Sequence, residues 1–253
     1  MKENNFVIIS PVYNAKDYIG KCIDSIGGQT YRNFCHVVMD DCSTDGTSDI
    51  ILGRWYNRED KSRLLFHRNG EKLGSPLGAF VRAIEWYSYD ENDILITVDG
   101  DDWLIDDSVL AFINEVYQDD NIWLTYGSFV SESGNLDNYC REVDNPRCYR
   151  QESWVTGHLR TIRRKLFDKI NPSDFRQKNG KFYNKFNDTA YMYPAIEMAG
   201  FEHSKFINKV LYVYNDKNPL CSIYNFKEAH LSADWEMKLD IMNKEPYEQL
   251  TEL

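Results

Sequence analysis

The sequence predicts an α/β fold: a Rossmann-like, mainly parallel sheet with flanking helices, followed by a less regular C-terminal half. Three observations carry that prediction. Over residues 6–130, short apolar runs alternate with amphipathic stretches at helical spacing, the pattern of strands joined by crossover helices. Several of the runs end in polar clusters, as the carboxyl-end edge of such a sheet requires when it holds a ligand. Beyond residue 130 the alternation gives way to a long polar stretch and fewer regular elements.

The strands are read at 7–10 (VIIS), 36–39 (HVVM), 64–67 (LLFH), 94–98 (ILITV) and 123–130. Between the first two, Ile19, Cys22, Ile23 and Ile26 keep the i, i+3, i+4 spacing of one buried helix face, and Val109, Phe112, Ile113 and Val116 do so before the fifth. Ser75 followed by Pro76 reads as an N-cap and first-turn proline, opening a helix through Leu77, Phe80, Val81 and Ile84. The polar segment 131–153 reads as a long loop. A strand and helix follow around His158 to Ile170, then a helix from Thr189 to Ala199 closed by Gly200, and a strand at 211–214. Leu231, Trp235, Leu239 and Met242 form one face of a last helix.

A chain of 253 residues is long enough for a substantial core, and one domain over 1–253 is expected, with a working division near residue 130. A formal net charge of -11 lacks the basic footprint of a nucleic-acid binder, so no nucleic-acid partner is expected. The six cysteines form no CxxC pair and the five histidines no HExxH, which disfavours zinc and fits reduced thiols in a cytoplasmic setting. Residues 1–5 are polar and lead straight into the first strand, leaving no room for a signal peptide, and no run is apolar enough to span a bilayer. The sequence carries no signal of oligomeric state.

The chemistry gathers where the strands end. The first runs into Pro11-Val12-Tyr13-Asn14, the second into Asp40-Asp41-Cys42-Ser43-Thr44-Asp45-Gly46, and the fourth into Asp99-Gly100-Asp101-Asp102. Carboxylates crowded at one strand tip repel and raise one another's pKa unless a cation is present, and oxygen ligands of this kind suit Mg2+ or Mn2+ bound together with substrate phosphates. The plainer reading is a solvated acidic turn, and it is preferred for Asp106 and Asp107, with Asp106 capping the next helix. Turn and capping duties account for Ser43, Thr44 and Asp45. They leave Asp40-Asp41 unexplained, and a carboxylate there suits a base N–H or a ribose hydroxyl. Tyr13 is either a packing residue or the aromatic face on which that base stacks.

Taken together, the stretch 7–15 (VIISPVYNA), the segment 26–34 (IGGQTYRNF), the segment 40–47 (DDCSTDGT) and Asp99-Gly100-Asp101-Asp102 resemble the family 2 inverting glycosyltransferases of the GT-A fold, over roughly residues 6–130. Members of that family occur in bacterial polysaccharide clusters and in large DNA viruses, so the resemblance implies the cytoplasm of a bacterium or of a virus-infected host. It further implies a nucleotide-sugar donor, usually a UDP-sugar. By the resemblance, Pro11, Tyr13, Asn14, Asp41, Lys72, Asp99 and Gly100 line the nucleotide site, Tyr13 stacks on the base, Asp41 reads its edge, and Asp99 lies near the ribose. Asp101, with Asp99, holds the metal. Lys72 or Arg68, in the segment 68–74 (RNGEKLG), neutralises phosphate. The family's Ala-Arg-Asn after this glycine is replaced here by Ser75-Pro76-Leu77, which puts the contacts of that arginine in doubt.

In the second half the resemblance is thinner. The segment 157–167 looks like the family's strand leading into Arg-Arg and a helix, and Asp188 stands where many members carry the catalytic base. An aspartate at a helix start is also a common N-cap, and both readings stay open for Asp188. Some members add a metal-binding histidine after the last strand, a place held here by Asn215-Asp216-Lys217, while His158, His203 and His230 are unassigned. Trp154, His158 and Tyr191 are candidates for contact with a glycan or glycoconjugate acceptor, with Tyr183 another aromatic of the same kind, although core packing explains each aromatic equally well. The activity implied is metal-assisted, inverting transfer of a sugar to an acceptor hydroxyl. The competing readings are a Mg-dependent phosphotransferase or nucleotidyltransferase, disfavoured by the absence of a GxxxxGK[ST] loop, and a non-catalytic nucleotide-sugar or glycan-binding module.

Overall fold

The computed structural model describes residues 2–58, 60–88, 90–219 and 233–253. One eight-stranded sheet runs through the molecule in the order β3-β2-β1-β4-β7-β6-β8-β5. Its first part is parallel: β1 (Phe6–Val12) lies between β2 (Phe34–Asp40) and β4 (Ile94–Thr97), and β3 (Leu64–Arg68) edges β2. These are the strands expected from the apolar runs, joined by α1 (Ile19–Gly27), α2 (Thr47–Tyr56) and α3 (Pro76–Tyr87). Ser75 caps α3 as its sequence suggests, its hydroxyl accepting from the Gly78 N–H at 3.0 Å.

The second part of the sheet is mixed. A short β5 (Trp103–Leu104), invisible as an apolar run because it holds only two residues, precedes α4 (Val109–Val116) and β6 (Leu124–Ser131). Strand β7 (Gly157–Arg163) inserts antiparallel between β4 and β6, and β8 (Ser204–Tyr214) runs parallel to β6. That insertion matters for the site, since it carries the residues of β7 to the tip of β4. The polar segment after β6 contains a 3-10 turn, Pro146–Gln151, which Asn145 caps through the Arg147 N–H. After the four-residue α5 (Arg164–Phe167) comes α6 (Asn187–His203), interrupted at Gly200, whose φ of 61° and ψ of -164° end the regular helix where expected. The last helix, α7, spans Ala233–Met242. Leu231, assigned to its apolar face, lies outside the described residues, as do Cys221 and His230.

Alternation along β1 divides the core. Phe6 and Ile8 face α1 and α4 with Ile19, Ile23, Leu110 and Ile113, whereas Val7 and Ile9 face α3 and α6 with Leu77, Phe80, Ala195 and Ile196. Each such side chain is worth roughly 1.5–3 kcal/mol when fully buried. The strand ends are held from both faces, so the loops that follow them are fixed in place.

Candidate active site

The parallel register levels the strand tips: Val12 pairs with Asp40, and the ladder from β1 to β4 continues past its last residues through Val98 N–H to Ile9 O (3.1 Å) and Gly100 N–H to Pro11 O (3.2 Å). Gly100 is needed for that approach, because a Cβ there would meet Val12 Cβ at 2.8 Å and Pro11 O at 3.1 Å. The tips open into a cavity of ≈ 1000 Å³, the upper end of the range for a small-molecule site. Pro11, Tyr13, Asp41, Lys72, Asp99, Gly100 and Asp101 line it, together with Trp154, His158, Arg160, Asp188 and Tyr191.

Asp41 is buried, and its carboxylate is already engaged. Asn69 Nδ2 and the Leu73 N–H donate to Oδ1 at 2.9 and 2.6 Å, and the Gly74 N–H donates to Oδ2 at 2.7 Å. Its first duty is therefore to hold the 69–74 loop, leaving little acceptor capacity for a base edge. Its neighbour Asp40 has no exposure and accepts from the Ser43 N–H at 2.9 Å, from the Ser48 hydroxyl and from Arg68.

Two expectations are corrected here. Arg68, considered for phosphate, instead binds Asp40 and donates to Ser43 O at 2.8 Å, which ties it to the loop after β2. Asn14, expected to contact the nucleotide, does not line the cavity: at φ 50° its amide oxygen accepts from the Thr44 N–H at 2.9 Å, joining the loops after β1 and β2. Tyr13 is 41% exposed, and Lys72 Nζ sits 3.4 Å from its ring centroid.

The acidic tip of β4 is organised by β8. The Tyr212 hydroxyl donates to Asp102 Oδ2 at 2.6 Å and accepts from the Asp99 N–H at 3.1 Å, and the Asn215 N–H donates to Asp102 Oδ1 at 2.7 Å. Asp101 Oδ2 accepts from Asn218 Nδ2 at 2.6 Å. Burial, then the charge of Asp101, pushes the Asp99 carboxyl up to about 7, with Arg160 acting against them and Asp188 with them. Asp101 is raised by burial against the Asn218 hydrogen bond, and Asp102 is raised well above the usual range by burial and by the charges of Asp101 and Asp99. Such a cluster favours either protons or a cation.

His158, which lies on β7, stacks on Tyr212 with ring centroids 4.3 Å apart. Asp99, Asp102 and His158 each offer a ligand atom, and those atoms lie within 4.8 Å of one another. Burial, reinforced by Arg160, pushes the imidazole well below its usual pKa and favours its neutral form, with Arg160 Nη1 3.4 Å from both ring nitrogens. The set that geometry gathers thus includes Asp102, part of the acidic strand end, and His158, an acceptor candidate from sequence, neither of them assigned to the metal there, whereas Asp101 lies beside it on Asn218. The signal for His158 is tertiary: β7 enters the sheet antiparallel next to β4, with Thr97 paired to Arg160.

Arg160 was likewise missed. It is 5% exposed, its Nε donates to Thr156 O at 3.0 Å, and its Nη2 lies 2.7 Å from Asp188 Oδ2. Burial works against its charge, but Asp188 and the surrounding Tyr191, Tyr139 and Asp99 outweigh it and hold the pKa up. Asp188 is not an N-cap. Phe186, at φ 52°, occupies that position and makes no side-chain capping hydrogen bond, and Asp188 lies in the first turn of α6 with Oδ1 accepting from its neighbour Thr189 N–H at 3.0 Å. Tyr191 is 4% exposed, packs on Phe80 and Phe167, and presents its hydroxyl 3.4 Å from Thr97 Oγ1. Trp154 is half-buried against Tyr149 and Tyr193. Tyr183 is a core residue, with no exposure and its hydroxyl donating to Asp240 Oδ2 at 2.5 Å.

Comparison with known proteins gives this geometry a context. Residues 7–171 match the model of glycosyl transferase family 2. Glycosyltransferase GlyA of Streptococcus pneumoniae is 24% identical over 242 residues, which are 92% of this chain and 34% of that protein. Glycosyltransferase GlyG of the same organism is 22% identical over 231 residues, 83% of this chain and 70% of that one. This chain thus spans about a third of the length of GlyA. Among solved structures, Staphylococcus aureus TarS 1-349 in complex with UDP superposes with a TM-score of 0.61 at 18% identity, over 94% of this chain and 64% of that one. The mannosyltransferase PcManGT of Pyrobaculum calidifontis, in complex with GDP-Man and Mn2+, gives 0.65 at 19% identity, over 98% and 67%. These likenesses establish the fold. No helix among the described residues is long and apolar enough to cross a membrane.

Proposed function

Since the chain belongs to glycosyl transferase family 2, we propose that it moves a sugar from a UDP-sugar to a hydroxyl of a glycan or glycoconjugate acceptor, inverting the anomeric carbon with the help of Mn2+ or Mg2+. The observation that carries this reading is the gathering of Asp99, Asp102 and His158 inside one cavity that Tyr13 and Asp188 also line. The UDP bound in TarS and the GDP-Man and Mn2+ bound in PcManGT support a nucleotide-sugar donor and a divalent ion. In this proposal residues 1–130 supply the donor end, and residues 131–253 supply the acceptor end and the base.

The side chains present suit such an ion: carboxyls raised by burial and mutual repulsion, and a neutral imidazole. Asp99, Asp102 and His158 would hold it, with Asp101 alongside, and when bound it would neutralise the donor diphosphate as the leaving group departs. Tyr13 stacks the base, and Lys72, whose ammonium lies 3.4 Å from the Tyr13 ring centroid, is the cation within reach of the diphosphate in this proposal. In the same cavity the Asp188 carboxylate, held by Arg160 and Thr189, accepts the proton of the acceptor hydroxyl. The freed oxygen attacks the anomeric carbon, and the bond from that carbon to the phosphate oxygen breaks, releasing nucleoside diphosphate. A single displacement of this kind inverts the centre. Trp154 and Tyr191 also line the cavity, and in this proposal they border the acceptor.

The test is a panel of UDP-glucose, UDP-N-acetylglucosamine, UDP-galactose and GDP-mannose incubated with the protein and Mn2+ or Mg2+, with nucleoside diphosphate release as readout. Release from a UDP-sugar that stops in EDTA is expected. Binding without any release would favour a non-catalytic module, and release of nucleoside monophosphate would favour phosphoryl or nucleotidyl chemistry.

A further inference from the structure

The aromatic platform proposed for the base is not bare. Lys72 Nζ lies 3.4 Å from the centroid of the Tyr13 ring, and both residues line the cavity. At that distance the ammonium occupies the ring face on which a base would stack, held there by the ring's electron density. Tyr13 is 41% exposed, so its ring is open to a ligand once the ammonium leaves.

The backbone around Lys72 is anchored while its side chain is not. Asp41 grips Asn69, Leu73 and Gly74, the last two immediately after Lys72. Gly74 takes φ +63° to make the turn, with open space around it. Lys72 itself is exposed, and among the described residues it forms no salt bridge. A flexible four-carbon stem on a fixed loop can therefore swing without moving the loop.

We propose that Lys72 exchanges partners: its ammonium covers the Tyr13 ring when the site is empty and moves to the donor diphosphate when the nucleotide displaces it. This rests on the nucleotide-sugar reading above. Its consequence is a link between base and phosphate recognition. A nucleoside has to evict the ammonium and offers nothing in return, whereas a nucleoside diphosphate supplies a new and stronger partner in the same step. The lysine thus favours charged donor over bare nucleoside at both stages, which is discrimination by an unfavourable contact as well as a favourable one.

The experiment compares uridine and UDP binding by calorimetry, in Mn2+ and low salt, for the wild type, Lys72→Ala and Lys72→Arg, with guanosine and GDP run alongside. For Lys72→Ala, uridine is expected to bind roughly 2- to 5-fold tighter, because the cation–π contact no longer has to be broken. UDP is expected to bind roughly 3- to 10-fold weaker, because a charge-assisted contact to phosphate is gone. Lys72→Arg, which can serve both partners, should resemble the wild type. Uridine affinity that is unchanged or weaker in Lys72→Ala, or UDP affinity that does not fall, overturns the exchange while leaving the donor reading intact. A wild-type protein that binds neither UDP nor GDP overturns the donor reading and the exchange with it.

Discussion

Replacing Asp188 by Asn sets the catalytic and structural roles of this residue directly against each other. Its Oδ2 lies 2.7 Å from Arg160 Nη2, and the two side chains are 28% and 5% exposed. Breaking a fully buried pair by removing one partner costs about 3–5 kcal/mol. Here Asp188 is partly wet, Asn keeps a hydrogen-bond acceptor, and Asp99 remains to balance Arg160, so roughly 1–3 kcal/mol is expected. For a chain of this size that corresponds to a fall in Tm of about 2–12 °C. Loss of a general base lowers turnover by about 10²- to 10⁴-fold, some 3–5 kcal/mol in the barrier. Nucleoside diphosphate release is measured well below the mutant's Tm, beside UDP affinity by calorimetry. If Asp188 only balances Arg160, turnover tracks the folded fraction and stays near normal. If it is the base, turnover collapses in a folded protein whose UDP affinity is nearly unchanged. Near-normal turnover by folded Asp188→Asn refutes the assignment. Glu197, an acidic residue further along α6, could not then replace it, because it is 2% exposed and locked to Arg150 at 2.6 Å.

Tyr13→Ala should weaken UDP binding by roughly 1–3 kcal/mol, the scale of base stacking on an aromatic ring, and an unchanged affinity would move the base elsewhere. Asp41→Ala should also weaken it, through release of the loop held at Asn69, Leu73 and Gly74, with faster amide exchange at 73 and 74 as the signature that separates loop loosening from a lost base contact. The buried His36, whose Nε2 lies 2.9 Å from Ser10 Oγ, is pushed down to about 3 by burial and by Arg58. The unfolded chain regains a value of about 6.5 and binds the proton first, so this group's contribution to stability is full above that pH and lost as the pH falls toward 3, with a slope of up to about 1.4 kcal/mol per pH unit. His36→Gln should flatten the fall in Tm between pH 6 and 4, and an unaltered pH profile would show that the acid sensitivity lies elsewhere.

The first half of the chain was legible because its signals are local. Apolar runs at 7–10, 36–39, 64–67 and 94–98 became β1 to β4, and a parallel register put their polar followers on one edge. That reasoning put Asp99, Asp41 and Tyr13 at the strand tips, where they line the cavity. The other half of the site depends on strand order. Nothing in the segment 157–163 announces that β7 runs antiparallel beside β4, yet that placement brings His158 to Asp99 and Arg160 to Asp188. Partner choice was also invisible: Asn14, Arg68 and Asp41 look like ligand contacts in sequence, but each is engaged by a neighbouring loop. The capping reading of Asp188 failed for a related reason, since Phe186 in the left-handed region starts α6 earlier than the polar residues suggest.

The proposal depends most on the acidic tip of β4 receiving a diphosphate through a cation, because Asp99, Asp101 and Asp102 would otherwise repel it. Calorimetric titration of UDP into the protein, once with Mn2+ and once in EDTA, tests that requirement directly. The account predicts binding with Mn2+ and a loss of at least about tenfold in EDTA, or roughly 1.4 kcal/mol. Equal affinity in the two titrations would contradict it.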